Sequence, residues 1–290
     1  MAIDPRTRYP QPPFEQQGQD APGSSARMKP EPDYGADSYK GAARLTGRVA
    51  LITGGDSGIG RAVALAFARE GADVVISYLD EEEDAEAAAQ DVEQAGRQAL
   101  KVPGDIGDPQ HCRALVTKTM DRFGQLDILV NNGAFQATHD SLDDISDEEW
   151  ERTFRTNVHS QFYITKAAAP HLKPGASIIN TSSVNSKHPI KSLLAYSATK
   201  AAIANLTIGL AQLLVDKGIR VNAVLPGPIW TPFIPTGMDP EQVKSFGSQS
   251  PMGRPGQPAE LAAAYVYLAS DDASYTTGTL LPVHGGMAIY

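Results

Sequence analysis

The sequence predicts an α/β fold, a doubly wound parallel sheet of about seven strands with helices on both faces. Three observations carry that prediction. From Gly47 onward, short β-branched runs alternate with longer segments of helical periodicity. The short runs are almost uninterruptedly apolar, the mark of strands buried on both faces. A glycine-rich turn joins the first run to the first helix, and open parallel sheets bind ligands at such junctions.

The elements follow in order. Arg48–Thr53 reads as the first strand, and Ser57–Glu70 as a helix with Ile59, Val63 and Phe67 on its buried face. Asp73–Ser77 is the second strand, followed by an Ala-, Glu- and Asp-rich helix over Glu81–Ala95. Leu100–Val102 is a short third strand. Pro109–Phe123 is a helix with Pro at its start, where a missing N–H costs little. Leu126–Asn131 is the fourth strand, and Asp147–Ala169 a long helical stretch. Ser177–Thr181, a long helix over Leu193–Lys217 and the strand Arg220–Val224 come next. A helix over 258–269 and a last strand at Leu280–Val283 close the chain. No repeat is evident. The expectation is one domain over 41–290.

Residues 1–40 differ from this pattern. They hold seven of the 21 prolines, and their only Ile, Leu, Val or Phe residues are Ile3 and Phe14. Such a segment cannot by itself offset its ordering entropy. Two readings stay open. One is a disordered tail; the other is an extended arm along the body or a partner subunit, anchored by Tyr9, Phe14, Tyr34 and Tyr39.

Composition narrows the function. The 290 residues carry 25 Lys plus Arg against 34 Asp plus Glu, a net charge of -9. That balance gives no footprint for nucleic acid or an anionic membrane surface. The single Cys112 excludes an intramolecular disulfide framework and a cysteine-based zinc cluster. No apolar run approaches the ~18–20 residues of a membrane span, and no signal pattern opens the chain. A cytoplasmic protein is expected.

Two motifs carry chemistry. Thr53-Gly54-Gly55-Asp56-Ser57-Gly58-Ile59-Gly60 ends the first strand and enters a helix. Glycine allows the tight turn and close backbone approach to a diphosphate, and the helix start offers free N–H groups. A plain structural turn is the alternative; the position at the first strand–helix junction favours dinucleotide binding. Tyr196-Ser197-Ala198-Thr199-Lys200 puts Tyr196 and Lys200 on one helix face, one turn apart. An ammonium there favours the phenolate and is expected to lower the tyrosine pKa. A packed tyrosine beside a solvated lysine is the plain alternative. Ser183, at the end of the fifth strand, stands where a hydroxyl can hold a substrate oxygen.

Together with Asn131-Asn132-Gly133-Ala134, Asn157 and Pro226-Gly227, these motifs resemble the short-chain dehydrogenase/reductase family over residues 45–290. The N-terminal extension, the Thr-Gly-Gly-Asp-Ser-Gly-Ile-Gly turn and Pro-Gly-Pro-Ile-Trp-Thr-Pro resemble its bacterial general-stress-type oxidoreductases. The resemblance implies a Rossmann-type sheet and an NAD(P)-dependent oxidoreductase acting on a small carbonyl or alcohol. It implies that Tyr196 handles the substrate proton, with Lys200 on the nicotinamide ribose. Ser183 would position the substrate oxygen, and Asn157 would hold a water in a proton relay. Gly54, Asp56, Ser57, Gly58, Ile59 and Gly60 would line the cofactor site. Tyr78, Asp105, Ile106, Asn131, Gly133, Pro226, Gly227, Ile229 and Thr231 would join them. Asn-Asn-Gly-Ala replaces the family's usual Asn-Asn-Ala-Gly, and His284-Gly285-Gly286 its Asp-Gly-Gly. No metal is expected, because no other His or Cys lies near His284 in sequence.

Cofactor choice is set where the second strand ends. An acid there accepts from the ribose hydroxyls, and an Arg accommodates a 2′-phosphate. Tyr78-Leu79 carries neither signature, but Asp80, Glu81, Glu82, Glu83 and Asp84 follow. The run is readable as a solvated helix start. It also disfavours a phosphate, so the sequence leans to NAD, with Arg61 and Ser57 keeping NADP open. Phe135–His139, Val184–Leu194 and Trp230–Pro258 are the expected specificity segments, the last a lid.

Two other functions fit the same fold. A nucleotide-binding regulator without catalysis has no need of Ser183, Tyr196 and Lys200. A 3-oxoacyl-carrier-protein reductase needs a basic docking patch that the acidic balance does not favour. In helix 193–217 apolar residues occupy more than one face, which points to a homotetramer through paired helices. Met287–Tyr290 is a short apolar tail able to reach a neighbour.

Overall fold

The computed structural model describes residues 3–288. The strands are β1 (Val49–Thr53), β2 (Asp73–Tyr78), β3 (Ala99–Pro103), β4 (Ile128–Asn131), β5 (Ser177–Thr181), β6 (Arg220–Pro226) and β7 (Leu280–Val283). They form one parallel sheet in the order β3-β2-β1-β4-β5-β6-β7. Because β1 pairs with β2 on one side and β4 on the other, the winding reverses between β1 and β4. The crevice beyond Thr53 and Asn131 is therefore the switch point, where ligands bind open sheets.

Alternation along each strand builds two cores. Ala50, Ile52, Val74, Ile76, Val130 and Ile179 pack under α1 (Gly58–Arg69), α2 (Glu82–Gln94) and α9 (Pro258–Ala269). Leu51, Val75, Val102, Leu129, Ile178 and Val221 face the other way. They meet α3 (Pro109–Phe123), α5 (Ser160–Ala168) and α6 (Leu194–Leu214). Along β1, β2, β4, β5 and β6 both faces are covered and apolar residues dominate, with Ser77, Ser177, Asn180 and Asn222 buried among them.

Local chemistry sets the helix ends. Asp108 caps α3 by accepting from the Gln110 N–H at 2.8 Å, ahead of Pro109. Gly124 ends it in the left-handed region. The expected helix over 147–169 is interrupted. α4 (Asp147–Phe154) and α5 are separated by a π-helical turn, Arg155–His159, centred on buried Asn157. Two short helices in the lid, α7 (Phe233–Gly237) and α8 (Pro240–Lys244), carry no long apolar periodicity and went unpredicted.

One expectation is corrected. Lys191–Lys217, which contains α6, is long and apolar enough by length and composition to cross a membrane. Several of its polar side chains face the fold, Ser197, Thr199, Lys200 and Thr207 being buried, while Asn205 and Gln212 are exposed. Leu194, Ile208, Leu213 and Val215 remain exposed on its outer side.

Residues 3–40 run over the body with a single 3-10 turn, Ser25–Arg27. Phe14, Met28 and Tyr34 are buried there. Ile289 and Tyr290 of the apolar tail lie outside the described residues.

Candidate active site

A cavity of about 720 Å³ opens at the carboxyl edge of the sheet. The turn after β1 supplies Gly54, Asp56, Ser57, Gly58 and Ile59 to one wall. Ser57 precedes α1 without making a side-chain capping bond, so the first-turn N–H groups keep their donor capacity. Gly60 does not line the cavity. A Cβ there would lie 1.8 Å from the Gly54 carbonyl oxygen, so this glycine lets the helix close on the turn. Thr53 and Asn132 hold the turn from the β4 side. The Thr53 hydroxyl accepts from the N–H of Asn132 at 2.9 Å and of Gly133 at 3.0 Å. Asn132 Nδ2 donates to the carbonyls of Thr53 and Gly54.

Asn131, expected beside the cofactor, is buried in the sheet and absent from the cavity wall. It donates to Asn180 Oδ1 at 2.9 Å, tying β4 to β5. Asn132, missed in the sequence reading, is the asparagine that reaches the wall. Its signal was present: the motif offers two adjacent asparagines, and strand alternation allows only one of them each face.

At the far end of β5, Ser183, Tyr196 and Lys200 converge on the cavity. Ser183 Oγ accepts from the Asn185 N–H at 3.1 Å, and Ser183 and Tyr196 both line the cavity. Lys200 Nζ donates to the Thr181 carbonyl at 2.9 Å and sits 5.1 Å from the Tyr196 ring centroid. The expected downward shift of Tyr196 is not what this geometry gives. Burial pushes the phenol up to about 12, against a smaller opposing pull from the neighbouring Ser183 hydroxyl. Burial likewise pushes the Lys200 ammonium down to about 7. Desolvation outweighs the helical pairing for both groups.

Asn157 does not line the cavity. Its Oδ1 accepts from the Phe135 N–H at 2.7 Å, and its Nδ2 donates to Phe135 O at 2.9 Å and Thr199 Oγ1 at 3.1 Å. The side chain is thus fully committed to fixing the segment after β4 against α6.

Tyr78, Leu79, Asp80 and Glu81 line the opposite end, with Asp105, Ile106 and Gly133 beside them. The Tyr78 hydroxyl donates to Glu82, and burial with that bond pushes it up to about 12. Asp56 is only 3% exposed. Burial pushes its carboxyl up to about 7, and Glu81 and Asp84 add to the shift. Arg61 is committed elsewhere, to Asp91 at 2.8 Å and over the Tyr34 ring. Pro226, Gly227, Ile229 and Thr231 complete the wall below the lid. Gly227 packs on His284, where a Cβ would meet its Cα at 2.7 Å, and His284 Nδ1 accepts from the Gly286 N–H. Among the described residues no group of three or more His, Cys, Asp or Glu is arranged to hold a metal.

The specificity segments contribute Phe135, Gln136 and Thr138, then Asn185, Ile190 and Ser192, then the lid residues Phe233, Met238 and Phe246. His139 instead pairs with Glu149 at 2.7 Å. Ala21 and Pro22 from the N-terminal segment also reach the cavity, as do Arg152 and Arg155, none of them singled out by sequence.

An open parallel sheet, a glycine turn at its switch point and a Ser–Tyr–Lys cluster opposite define a dinucleotide-dependent oxidoreductase. The comparisons are specific. A family model described as Enoyl-(Acyl carrier protein) reductase matches residues 54–288. General stress protein 39 of Bacillus subtilis is 54% identical over 265 residues, covering 91% of this chain and 93% of that protein. NADPH-dependent aldehyde reductase 1, chloroplastic, of Arabidopsis thaliana is 45% identical, covering 92% and 96%. A short chain dehydrogenase from Burkholderia cenocepacia, solved in complex with NADP, superposes with TM-score 0.79 at 35% identity, covering 84% and 98%. The chain belongs to the short-chain dehydrogenase/reductase family and is an NAD(P)-dependent oxidoreductase.

Proposed function

We propose that Tyr196 is the proton donor and acceptor for a small carbonyl or secondary alcohol, with Ser183 holding the reacting oxygen. Nicotinamide, when bound, supplies or takes the hydride. The observation that carries this reading is the convergence of Ser183, Tyr196 and Lys200 on the cavity, across from the glycine turn. Two hydroxyls on one cavity wall can both address a third oxygen placed between them. Lys200, buried beside the ring and held by Thr181, would offer a donor to the cofactor ribose. Asn157 has no free side-chain capacity, so its relay role falls to its main chain, at the π turn where the helical ladder is loosened.

Gly54, Ser57, Gly58 and Ile59 would hold the diphosphate, with Gly60 allowing the turn to close. Tyr78, Asp105, Ile106 and Gly133 would surround the adenosine, and Pro226, Gly227, Ile229 and Thr231 the nicotinamide. NAD is the preferred cofactor in this reading. Asp56, Asp80 and Glu81 line the Tyr78 end of the cavity, and the nearby Arg61 is spent on Asp91. A carboxylate accepts from a ribose diol and repels a 2′-phosphate. NADP is the second reading, favoured by the NADP complex of the Burkholderia relative and the name of the Arabidopsis one. Residues 41–290 would form the catalytic domain and 1–40 an arm. The exposed Phe162 on α5 and Leu194, Ile208 and Leu213 on α6, with Val215 just beyond it, support a homotetramer, which would be cytoplasmic.

The test is a fluorescence titration of the full chain with NADH and NADPH, followed by oxidation of each with a panel of aldehydes, ketones and sugars. Binding of neither cofactor overturns the reading.

A further inference from the structure

The N-terminal segment does more than cover apolar surface. Phe14 stacks on Trp230 with ring centroids 4.3 Å apart, and the two share a small separate core with Met28, Ile234 and Val243. Trp230 Nε1 donates to the Pro30 carbonyl at 2.7 Å. The Phe14 N–H donates to Lys244 O and the Gln19 N–H to Pro235 O, each at 2.9 Å. Trp230, Pro235 and Lys244 all belong to the lid. The same segment is then fastened to the opposite wall. The Ser25 N–H and hydroxyl donate to Asp84 Oδ2 in the first turn of α2, at 2.9 and 3.1 Å. The Tyr34 hydroxyl donates to Ser25 Oγ at 2.7 Å, and Arg61 of α1 lies 4.5 Å over the Tyr34 ring. Between these two anchorages Ala21 and Pro22 face the cavity.

We propose that residues 19–25 are a structural part of the cofactor site: a strap joining the lid to α2 that forms an outer wall of the dinucleotide cavity. The inference rests on the cofactor reading above. Its physical basis is that a lid of two five-residue helices has little stability of its own. The lid is held in place by Trp230, whose ring and N–H are both satisfied from the N-terminal segment. Asp84, by accepting two bonds from Ser25, is spent on the strap in place of solvent. Releasing the strap therefore opens the wall and frees the lid together, which speeds cofactor release.

Gly23 offers a local perturbation. Its φ is +84°, and a Cβ there would meet Thr236 Cγ2 at 2.5 Å, so any larger side chain pushes strap and α7 apart. Gly23→Val and, as an independent variant at the Trp230 anchorage, Phe14→Asp are compared with the full wild-type chain. Intrinsic emission reports strap release, because Trp230 is fully buried whereas Trp150 is already exposed. NADH is the probe, with Kd from fluorescence titration and release rate from stopped flow. The expected result is red-shifted emission, far-UV circular dichroism unchanged, a Kd for NADH raised about tenfold and a correspondingly faster release. Unchanged emission in both variants would show the strap is not anchored as described. Red-shifted emission with an unchanged Kd would show that the strap is no part of the site. Wild-type protein that binds neither NADH nor NADPH would overturn the cofactor reading itself, a result distinct from both.

Discussion

Replacing Asp56 by Asn removes one buried charge while keeping the shape of the side chain. The carboxyl is shifted from 3.8 to about 7, chiefly by burial and then by Glu81. Below the unfolded value both states are neutral and the group costs nothing. As pH rises toward the folded value, the unfolded chain releases a proton that the native state retains, so stability falls. Above the folded value the full cost of ionising the buried group is present. At 1.36 kcal/mol per unit, a shift of about three units corresponds to a cost on the order of 4 kcal/mol. Asn carries a pH-independent offset, so the change in the difference between variant and wild type is the informative quantity. Urea denaturation at about pH 5 and about pH 8 should show Asp56→Asn gaining about 2–3 kcal/mol on wild type across that interval. The same variant should bind NADH more weakly and discriminate less against NADPH. A stability difference that does not change with pH would refute the buried-charge argument. A gain in stability with unaltered cofactor preference would leave Asp56 a structural liability with no role at the ribose.

Other perturbations have equally definite outcomes. Tyr196→Phe should lower turnover by about 10²–10⁴-fold with the NADH Kd unchanged, since only the proton step loses its group; near wild-type turnover refutes the assignment. Lys200→Ala should raise the NADH Kd and lower kcat together, measured by titration and steady-state assay, and an effect on neither removes it from the site. Light scattering at micromolar concentration should give about four times 30.9 kDa, and Leu213→Arg should reduce that mass; a stable, active monomer refutes the argument from α6.

The sheet was legible because its inner strands are covered on both faces. Burial on two sides favours apolar runs, and these, with the shorter runs at the edges, mark β1 to β7 within a few residues. The glycine turn and the Tyr196/Lys200 spacing were legible for a related reason: each is a short-range constraint written in adjacent positions. What escaped depends on partners distant in sequence. The π turn at 155–159 has no sequence signature, since Asn157 is held by Phe135 and Thr199 from other elements. The strap needs Trp230 and Asp84, which only the fold brings to Phe14 and Ser25. Which of Asn131 and Asn132 reaches the crevice is decided by the phase of β4: Asn131 ties the sheet together and Asn132 reaches the wall.

The Tyr196–Lys200 pair shows how far local spacing reaches and where it stops. Four residues along a helix do put the two side chains together, with the ammonium nitrogen 5.1 Å from the ring centroid. Spacing alone, however, treats the pair as if it were solvated, where an ammonium simply draws the phenol down. In the fold both groups are withdrawn from water, and each is driven toward its neutral form. The hydrogen bond from Lys200 to Thr181 fixes the amine beside the ring. Burial, and not the four-residue spacing, therefore sets the direction of both shifts.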